Sequence, residues 1–356
     1  MNNKKIRVAI LFGGKSAEHE VSIASAKNVY QSLDRNEYDV SLIGIDLHGS
    51  WHTLPEKYLL ESSLTKKSQS LEAVEDKTEG NSPLEIIQRV DVVFPVLHGT
   101  YGEDGYMQGF LETLNIPYVG SGVTGSAIGM DKDVTKRLLR DAGLPIADFM
   151  VVRKGEKIAF SDIETKLGLP FFVKPANLGS SVGISKVKDE KMFKEAIEEA
   201  FSYDTKIIIE QYIQGREIEC AVLGNENPQA SIPGEVIVHH EFYDYEAKYL
   251  DEKGSSLHIP ANLSSEEVAK IQELAVKTFR VLCLDGMARI DFFLKEDGNV
   301  FVNEANTIPG FTSHSMYPKL WEASGIDYTT LIDKLINLAL TKHASKRNLT
   351  FTREEN

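Results

Sequence analysis

A candidate site for chemistry in the C-terminal part of the chain combines two carboxylates, an amide and a guanidinium: Asp291, Glu304, Asn306 and Arg289. Residues two apart on a strand point to the same face, so Arg289 and Asp291 share a face. Glu304 and Asn306 also share a face if their strand extends that far. If the two faces coincide, the oxygens converge beside the guanidinium. Such all-oxygen ligation suits Mg²⁺, which takes its other ligands from water and substrate phosphates.

A β-hairpin is predicted to carry these residues. Two runs with strand composition, Ala288 to Leu294 and Val300 to Asn303, flank the polar connection Lys-Glu-Asp-Gly-Asn. Gly298 stands in that connection, where a hairpin turn needs a positive φ angle. The spacing alone also fits a solvated hairpin whose acids merely face water, so other parts of the chain must distinguish the two.

The composition is that of a globular protein with more than one domain. The chain has 356 residues, 42% of them hydrophobic, which predicts two or three domains with real cores. The formal net charge of -14 disfavours binding to nucleic acid or to an anionic membrane. Two cysteines without zinc-site spacing fit a reducing cytoplasm. We expect no signal peptide and no membrane span, since the apolar runs are too short.

The N-terminal region is predicted to be a parallel α/β domain that ends near residue 122. A strand from Ile6 to Phe12, a helix from Val21 to Leu33 and a strand from Val40 to Ile45 form a β-α-β unit. The first strand ends in Gly-Gly-Lys-Ser, which matches neither GxGxxG nor Walker A and so disfavours a nicotinamide oxidoreductase. Residues 47 to 84 are polar, which predicts an irregular surface segment without a functional site.

Two loops at strand ends of this domain carry candidate ligand-binding residues. The Gly-Gly turn exposes Glu18 at the carboxyl end of a parallel strand, where ligands of open α/β sheets bind. Another apolar strand, Val90 to Leu97, runs into His98 and a glycine-rich loop. Capping of the first helix by Glu20 or Ser22 is the alternative for the first loop, and a lone histidine is usually structural.

The next region begins with a predicted single helix from Gly125 to Ala142, which carries Lys132 near its middle. The basic face of this helix, formed by Lys136, Arg137 and Arg140, is predicted to be solvated. A smaller α+β unit is expected to follow.

A glycine- and serine-rich loop in that unit is the candidate for phosphate binding. An apolar strand ends at Lys174, and the loop after it contains Gly179, Ser180, Ser181 and Gly183. Backbone N–H groups of such a loop can hold phosphate oxygens while the lysine supplies a point charge. A plain hairpin turn is the alternative.

Further elements complete the chain on either side of the hairpin. Glu210 ends a strand of isoleucines and could accept hydrogen bonds from a ribose or an adenine amine, or form a surface salt bridge. The segment from His239 to Pro260 is too long and too aromatic for a linker and predicts a packed lid, without a metal site at its two adjacent histidines. Helices are predicted from Ser264 to Leu282 and from Leu331 to Leu340, with a frayed polar tail from Lys342.

Six sequence blocks together resemble the D-alanine–D-alanine ligases. The blocks are Gly13 to Ser22, Leu97 to Gly105, Met130 to Lys132, Val173 to Gly183, Phe242 to Tyr249 and Arg289 to Ser315. They occur in order over almost the whole chain. The resemblance implies a fold of α/β and α+β class, the ATP-grasp fold, in which ATP lies between two α+β domains behind an N-terminal Rossmann-like (parallel α/β) domain.

The resemblance also implies a division of the chain and an activity. The ranges are 1–122 for the substrate-binding α/β domain, 123–214 for the central ATP-grasp domain, 215–345 for the C-terminal ATP-grasp domain and 346–356 for a polar tail. ATP would phosphorylate the carboxylate of one D-alanine, and the amine of a second would attack this acyl phosphate to give a peptidoglycan precursor. ATP is needed because a carboxylate is a poor electrophile until its oxygen becomes a leaving group. A cytoplasmic homodimer is implied, without nucleic acid or membrane as a partner.

Roles in nucleotide binding follow from the same resemblance. Three residues of the hairpin would hold two Mg²⁺ ions, for which Mn²⁺ can substitute: Asp291, Glu304 and Asn306. Six further residues would contact ATP: Lys132, Lys174, Ser181, Glu210, Glu217 and Lys248.

Roles toward the amino-acid substrates are implied for a second group. Arg289 and the N–H of Gly310 would neutralise the oxyanion that develops during the reaction. Glu18 would bind the ammonium group of the first D-alanine and join Ser180 and Tyr249 in a hydrogen-bonded triad that ties the lid to the site.

The second D-alanine would be held through its carboxylate by Ser315, with His98 near the first. Relatives that make D-alanyl-D-lactate tend to differ from this chain at Tyr249, so the resemblance favours a dipeptide ligase. Because the depsipeptide reaction needs no amine deprotonation, pH dependence would separate the two activities.

Two other functions remain as alternatives. Another ATP-grasp carboxylate–amine ligase would share Lys174, Asp291 and Glu304 but not Glu18, the lid block and Ser315. A nucleotide-binding sensor without catalysis would be expected to lack at least one of the four hairpin residues, and all four are present.

Overall fold

The computed structural model describes residues 4–61, 82–238 and 255–350. The strands are β1 (Ile6–Gly13), β2 (Tyr38–Ile45), β3 (Trp51–Leu54), β4 (Val92–Val96), β5 (Phe149–Arg153), β6 (Phe171–Pro175), β7 (Ser185–Val187), β8 (Lys206–Gln211), β9 (Arg216–Gly224), β10 (Gln229–Ala230), β11 (Gly234–Val238), β12 (Ser255–His258), β13 (Gly286–Leu294) and β14 (Val300–Asn306). The helices are α1 (His19–Ser32), α2 (Glu56–Glu61), α3 (Pro83–Ile87), α4 (Tyr106–Thr113), α5 (Val123–Met130), α6 (Lys132–Asp141), α7 (Phe160–Leu167), α8 (Glu190–Tyr203), α9 (Ser265–Val281), α10 (Met316–Ala323) and α11 (Tyr328–Arg347).

The N-terminal sheet confirms the predicted parallel β-α-β opening. Its strand order is β3-β2-β1-β4, and β1 runs parallel to both β2 and β4. Apolar side chains fill β1 because both of its faces are covered, as is usual for a parallel strand. Ser22 does not cap α1: its hydroxyl accepts a hydrogen bond from the Gly13 N–H and donates one to the Val96 carbonyl, which fixes the end of β1 to β4.

The described part of residues 47–84 is more regular than predicted. Trp51–Leu54 forms an antiparallel edge strand on β2, and α2 places Leu59 in the core with no exposed surface. The polar composition of the neighbouring residues hid these short elements, whose regularity comes from pairing and burial rather than from local propensity. Residues 62–81 lie outside the described residues.

The predicted single helix from Gly125 to Ala142 is wrong, because the chain forms α5 and α6 with Asp131 between them. The Asp131 backbone is extended, and its carboxylate accepts hydrogen bonds from the N–H groups of Asp133 and Val134 as the N-cap of α6. The N–H of Lys132 donates to the Ala176 carbonyl at 2.9 Å. The break therefore turns Lys132 toward the loop that follows β6.

Two antiparallel sheets form the rest of the described chain. One has the order β5-β8-β6-β7. The other has the order β12-β11-β9-β13-β14, and the short strand β10 also pairs with β9. The predicted hairpin is confirmed as β13 and β14, and its second strand extends to Asn306. Ser264 caps α9 with a capping box to Glu267, as its sequence indicates.

The last helix is longer than predicted and ends at Arg347, so the expectation of a frayed tail from Lys342 is wrong for the described residues. Lys342 donates to the Gly120 carbonyl at 2.8 Å, and Lys346 pairs with Glu112 at 2.5 Å. These polar residues are ordered because they bind the N-terminal part of the chain. No helix in the described ranges is both long enough and apolar enough to cross a membrane.

One hydrophobic core joins the N-terminal sheet to the C-terminal helices. Val8, Ile10 and Phe12 of β1 belong to the same buried cluster as Trp321 of α10 and Leu335 of α11. The β5-β8-β6-β7 sheet has a separate core with α7 and α8. The division of the chain at residues 122, 214 and 345 stays a prediction.

Candidate active site

The β13–β14 hairpin carries four polar residues on one face. Arg289 lies opposite Asn306 and Asp291 lies opposite Glu304 in the cross-strand register. The guanidinium of Arg289 donates to both carboxylate oxygens of Asp291, from Nε at 2.8 Å and from Nη2 at 2.7 Å. Asn306 Nδ2 donates to Asp291 Oδ2 at 3.0 Å. The alternative of acids that merely face water is therefore wrong, since Asp291 is held in a half-enclosed network.

A third carboxylate, which the sequence analysis missed, extends this group onto β9. Glu219 is the β9 partner of Asp291, so Glu219, Asp291 and Glu304 stand side by side across three neighbouring strands. Arg289 Nε lies 2.8 Å from Glu219 Oε2 as well as from Asp291. The cross-strand partner could be identified only after the pairing of β9 with β13 was known.

The donor set at the hairpin fits a divalent cation. Asp291 and Glu304 are directly opposed, and like charges in that relation repel each other unless a cation lies between them. Two carboxylates and an amide supply the hard oxygen ligands that Mg²⁺ takes. No group of three His, Cys, Asp or Glu residues within the described ranges could hold a metal by itself, so phosphate oxygens or water would complete the coordination.

A buried charge cluster links β6, β8 and α6. Glu210 Oε2 lies 2.6 Å from Lys174 Nζ, and Glu210 Oε1 pairs with Lys136. Glu210 is 2% exposed, so its ion pairs are buried and the predicted alternative of a surface salt bridge is wrong. Burial alone would raise the pKa of Glu210, but the two ammonium groups outweigh burial and lower it to about 2. Burial lowers the pKa of Lys174, and Glu210 more than offsets this.

Lys136 corrects the prediction of a solvated basic face on this helix. Its side chain is 2% exposed, whereas Arg137, one residue further, is half exposed and pairs with Asp133. Lys136 follows Lys132 by four residues, so both lie on the same face of α6. This spacing was the signal that could have predicted a second inward lysine.

Lys132 lies between the loop that follows β6 and the β13–β14 hairpin. Its Nζ donates to the Leu178 carbonyl at 2.7 Å and lies 4.0 Å from Glu304 Oε2. Glu217 lies two residues before Glu219 on β9 and therefore on the same face. The structure thus brings Lys132 to the hairpin and puts Glu217 on the same sheet face as Glu219.

The glycine- and serine-rich loop has a strained backbone at its two serines. Ser180 and Ser181 both have positive φ angles, 51° and 59°, which side-chain-bearing residues rarely adopt. Such strain is typical of functional loops. Ser180 Oγ is buried, and no residue in the described part of the chain donates to it or accepts from it. The loop is therefore not a plain hairpin turn, and its hydroxyl is available to a ligand.

Glu18 packs directly against this loop. A Cβ atom added to Gly179 would lie 3.1 Å from Glu18 Oε2, and one added to Gly99 would lie 2.7 Å from the same oxygen. Glycine at these two positions lets the carboxylate approach closely, and Gly99 also has a positive φ angle of 77°. Glu18 thus lies beside Gly179, the residue before Ser180, but Ser180 Oγ has no hydrogen-bond partner among the described residues. The triad stays a prediction, and Tyr249 and Lys248 lie outside the described residues.

His98 joins the N-terminal domain to the loop before α10. Its Nδ1 lies 2.9 Å from the Ile308 carbonyl and its Nε2 lies 3.0 Å from Ser25 Oγ. Burial lowers the pKa of His98, but Glu103 outweighs burial and raises it. Burial raises the pKa of Glu103 in turn. Neither residue was predicted: the fold brings Ser25 to the histidine, whereas Glu103 reaches it from the same glycine-rich loop.

A cavity of about 240 Å³ opens beside His98 at the carboxyl ends of β1 and β2. Lys15, Trp51 and Tyr101 also line it. Ligands of open α/β sheets bind at this position.

Gly310 and Ser315 are adjacent at the start of α10. A Cβ atom on Gly310 would come within 2.6 Å of Ser315 Oγ, so the close approach requires glycine. Ser315 Oγ accepts a hydrogen bond from the Thr312 N–H at 2.9 Å. Ser315 is the N-cap residue of α10 and makes no side-chain cap, so the positive end of the helix faces this hydroxyl.

Ser25→Ala is expected to lower the free energy of unfolding by about 1–3 kcal/mol, the cost of leaving buried polar groups without partners. The Ser25 side chain is fully buried, and its hydroxyl accepts from the Phe311 N–H at 3.1 Å besides contacting His98. Urea unfolding measures the change. Ser185→Ala, which removes an exposed hydroxyl bonded to Glu199, is the control with an expected change below about 0.5 kcal/mol; equal effects would contradict the role of Ser25.

The parallel α/β sheet followed by two antiparallel α+β units is the ATP-grasp fold. Sequence profiles described as D-ala D-ala ligase N-terminus and D-ala D-ala ligase C-terminus match residues 7–121 and 138–337. D-alanine--D-alanine ligase A of Escherichia coli K12 is 51% identical, over 98% of this chain and 100% of that protein. The chain therefore belongs to the D-alanine–D-alanine ligase family.

Two solved structures support the same assignment. The D-alanine-D-alanine ligase of Coxiella burnetii has a TM-score of 0.83 and 39% identity, over 97% of each chain. The D-alanine--D-alanine ligase of Bacillus anthracis complexed with ATP has a TM-score of 0.75 and 29% identity, over 96% of this chain and 99% of that chain.

Proposed function

We propose that this protein joins two D-alanines to D-alanyl-D-alanine for peptidoglycan synthesis, and converts ATP to ADP and phosphate through an acyl phosphate. The observation that carries the proposal is the convergence of Arg289, Asp291 and Glu304 with Lys132 on one side of the β9–β13–β14 sheet. Family membership and the ATP complex of the Bacillus anthracis relative support ATP as the phosphate donor.

The nucleotide would lie between the central sheet and the hairpin. Lys132 and Lys174 would contact its phosphates, and the Ser180–Ser181 backbone would close over the γ-phosphate. Glu217 would contact the ribose. Glu210 holds Lys174 and Lys136 in place and would contact the adenine.

Two Mg²⁺ ions, or Mn²⁺ in their place, would be held by Asp291, Glu304 and Asn306. Bound metal would neutralise the negative charge of the ATP phosphates during transfer. The protein contributes the position of these ligands, which the antiparallel pairing of β13 and β14 fixes.

In the first step, a carboxylate oxygen of the first D-alanine bonds to the γ-phosphorus and the bond to ADP breaks. Glu18 would hold the ammonium of this D-alanine, beside Ser180 and, from the lid, Tyr249. His98 would contribute to this end of the site by holding the loop that carries Gly310. Lys248 of the lid would reach the phosphate.

In the second step, the free amine of the second D-alanine attacks the carbonyl carbon and phosphate leaves. Arg289 and the N–H of Gly310 would stabilise the oxyanion of the tetrahedral intermediate. Ser315, at the positive end of α10, would hold the carboxylate of this D-alanine. The attacking amine must be neutral, so dipeptide formation should rise with pH more steeply than ester formation from D-lactate.

We also propose a cytoplasmic homodimer. Cys220 and Cys283 are both free among the described residues, which fits a reducing compartment. The dimer rests on the family resemblance, and sedimentation of the purified protein tests it.

ATP-dependent phosphate release with Mg²⁺ tests the activity. We expect release with D-alanine and none with L-alanine, and mass spectrometry should identify the dipeptide. A parallel reaction with D-alanine plus D-lactate at two pH values should favour the dipeptide at the higher pH. A folded sample that binds ATP but releases no phosphate with D-alanine would overturn the proposal.

A further inference from the structure

We propose that Glu219 is a positioning residue. It holds the guanidinium of Arg289 where it would stabilise the oxyanion, while Asp291 binds metal. The inference rests on the proposed function, because it assigns Glu219 through the role of Arg289. Glu219 Oε2 lies 2.8 Å from Arg289 Nε, and Glu219 is directly opposite Asp291 across β9 and β13.

The two carboxylates beside Arg289 have different tasks. Asp291 is engaged by both Nε and Nη2 of the guanidinium, but it is also a proposed metal ligand. A divalent cation on Asp291 places positive charge next to the guanidinium and weakens that ion pair. Glu219 lies on the side of Asp291 away from Glu304, so it can hold the guanidinium when the metal binds between the other two carboxylates.

The surroundings of Glu219 suit a residue that fixes another side chain. It is 7% exposed, and its strand is paired on both sides, with β11 and with β13. Glu219 and Arg289 form an ion pair, and their low exposure reduces the screening of this pair by solvent. Arg289 has a long side chain with several rotamers, so a fixed carboxylate on the neighbouring strand limits where its charge can lie.

Glu219→Gln tests the proposal, because it keeps the shape and a hydrogen-bond acceptor but removes the charge. We expect kcat for D-alanyl-D-alanine formation to fall about 10–100-fold, the usual effect of losing a partner that orients a reactive group. The KM for ATP should stay within about twofold of wild type at saturating Mg²⁺, because the nucleotide contacts are unchanged. Glu219→Asp keeps the charge on a shorter side chain and should give an intermediate kcat.

Glu235→Gln is the matched control. Glu235 lies on β11, is 9% exposed and pairs with Arg216 through two hydrogen bonds at 2.7 and 2.6 Å. This pair has the same residue types as Glu219 and Arg289 but lies on the other face of the sheet, since the β9 partner of Glu235 is Ile218. The control should lower thermal stability and leave kcat within about twofold of wild type.

A double-mutant cycle separates positioning from a general effect on the sheet. In an Arg289→Lys background, Glu219→Gln should change kcat by less than about twofold, since the group that it positions is already altered. Equal fold losses in both backgrounds would overturn the proposal, as would a wild-type kcat in Glu219→Gln, or a loss in Glu235→Gln as large as that in Glu219→Gln.

The same assays distinguish failure of the proposed function from failure of this inference. A wild-type protein that makes no dipeptide contradicts the proposed function itself. A wild-type protein that makes dipeptide while Glu219→Gln and Glu219→Asp retain its kcat contradicts only the role of Glu219. Should Glu219→Gln not fold, Glu219→Asp alone decides, and a kcat within twofold of wild type would overturn the proposal.

Discussion

Asp291→Asn is expected to lower kcat by about 10²–10³-fold. The substitution keeps the size of the side chain and an oxygen that can accept from Arg289 and Asn306, but removes the charge that a divalent cation needs. Metal ions contribute several kcal/mol of charge stabilisation in phosphoryl transfer, and about 1.36 kcal/mol corresponds to each tenfold change in rate. The apparent Mg²⁺ affinity should fall together with kcat.

Phosphate release measured over a range of Mg²⁺ concentrations checks this prediction. Asp297→Asn is the control, because it makes the same chemical change in the turn of the same hairpin, where the Asp297 side chain is 51% exposed. Its kcat and Mg²⁺ dependence should equal those of wild type. A variant at Asp291 with wild-type kcat at wild-type Mg²⁺ concentrations would rule out this aspartate as a metal ligand.

Glu210→Gln should lower the free energy of unfolding by about 3–5 kcal/mol, the usual cost of removing one partner from a buried ion pair. Glu210 is the carboxylate between Lys174 and Lys136, and Lys136 is 2% exposed, so the substitution leaves two buried ammonium groups facing a neutral amide. Binding of ATP should weaken as well, because Lys174 loses the group that orients it.

The effect of Glu210→Gln should depend on pH in a defined direction. The pKa of Glu210 is lowered in the folded protein from 4.5 to about 2, since the two lysines outweigh the burial that would raise it. A lowered pKa means that the ionised carboxylate stabilises the fold fully above pH 4.5 and loses this contribution as the pH falls toward 2. The stability difference between wild type and variant should therefore shrink below pH 4.5.

Urea unfolding at pH 7 and at several pH values below 4.5 measures both effects. Glu190→Gln is the matched control: Glu190 forms an exposed pair with Lys194 at 3.0 Å on α8, and such pairs contribute less than about 1 kcal/mol. A difference for Glu210→Gln that stays constant below pH 4.5 would show that lost packing, not lost charge, causes the effect.

The sequence predicted the hairpin and the direction of its side chains because both depend on local patterns. The alternation of strand residues and a glycine in the turn are sufficient to put Arg289 and Asp291 on one face. Glu219 could not be found in this way, because its position beside Asp291 depends on the pairing of β9 with β13. The strand order of a sheet is not encoded in the residues of any one strand.

Two of the wrong predictions, those for Lys136 and Lys342, also failed because of long-range contacts. Lys136 appeared to be one of several surface lysines, and only the arrival of Glu210 from β8 makes its burial possible. Lys342 was predicted to belong to a polar tail, but its ammonium group donates a hydrogen bond to the Gly120 carbonyl, which orders that turn of the helix. The break at Asp131 did have a local signal, since aspartate is a preferred N-cap residue.

Because the N-terminal sheet shares its core with α10 and α11 as well as with α1, part of that core stays uncovered until the C-terminal helices have been made. Val8, Ile10 and Phe12 are synthesised long before Trp321 and Leu335, which belong to the same cluster. At about 5–20 residues per second, the interval is on the order of tens of seconds. During this time the nascent chain presents an apolar surface of the kind that chaperones bind, and the core of the sheet is complete only after α10 and α11 have been made.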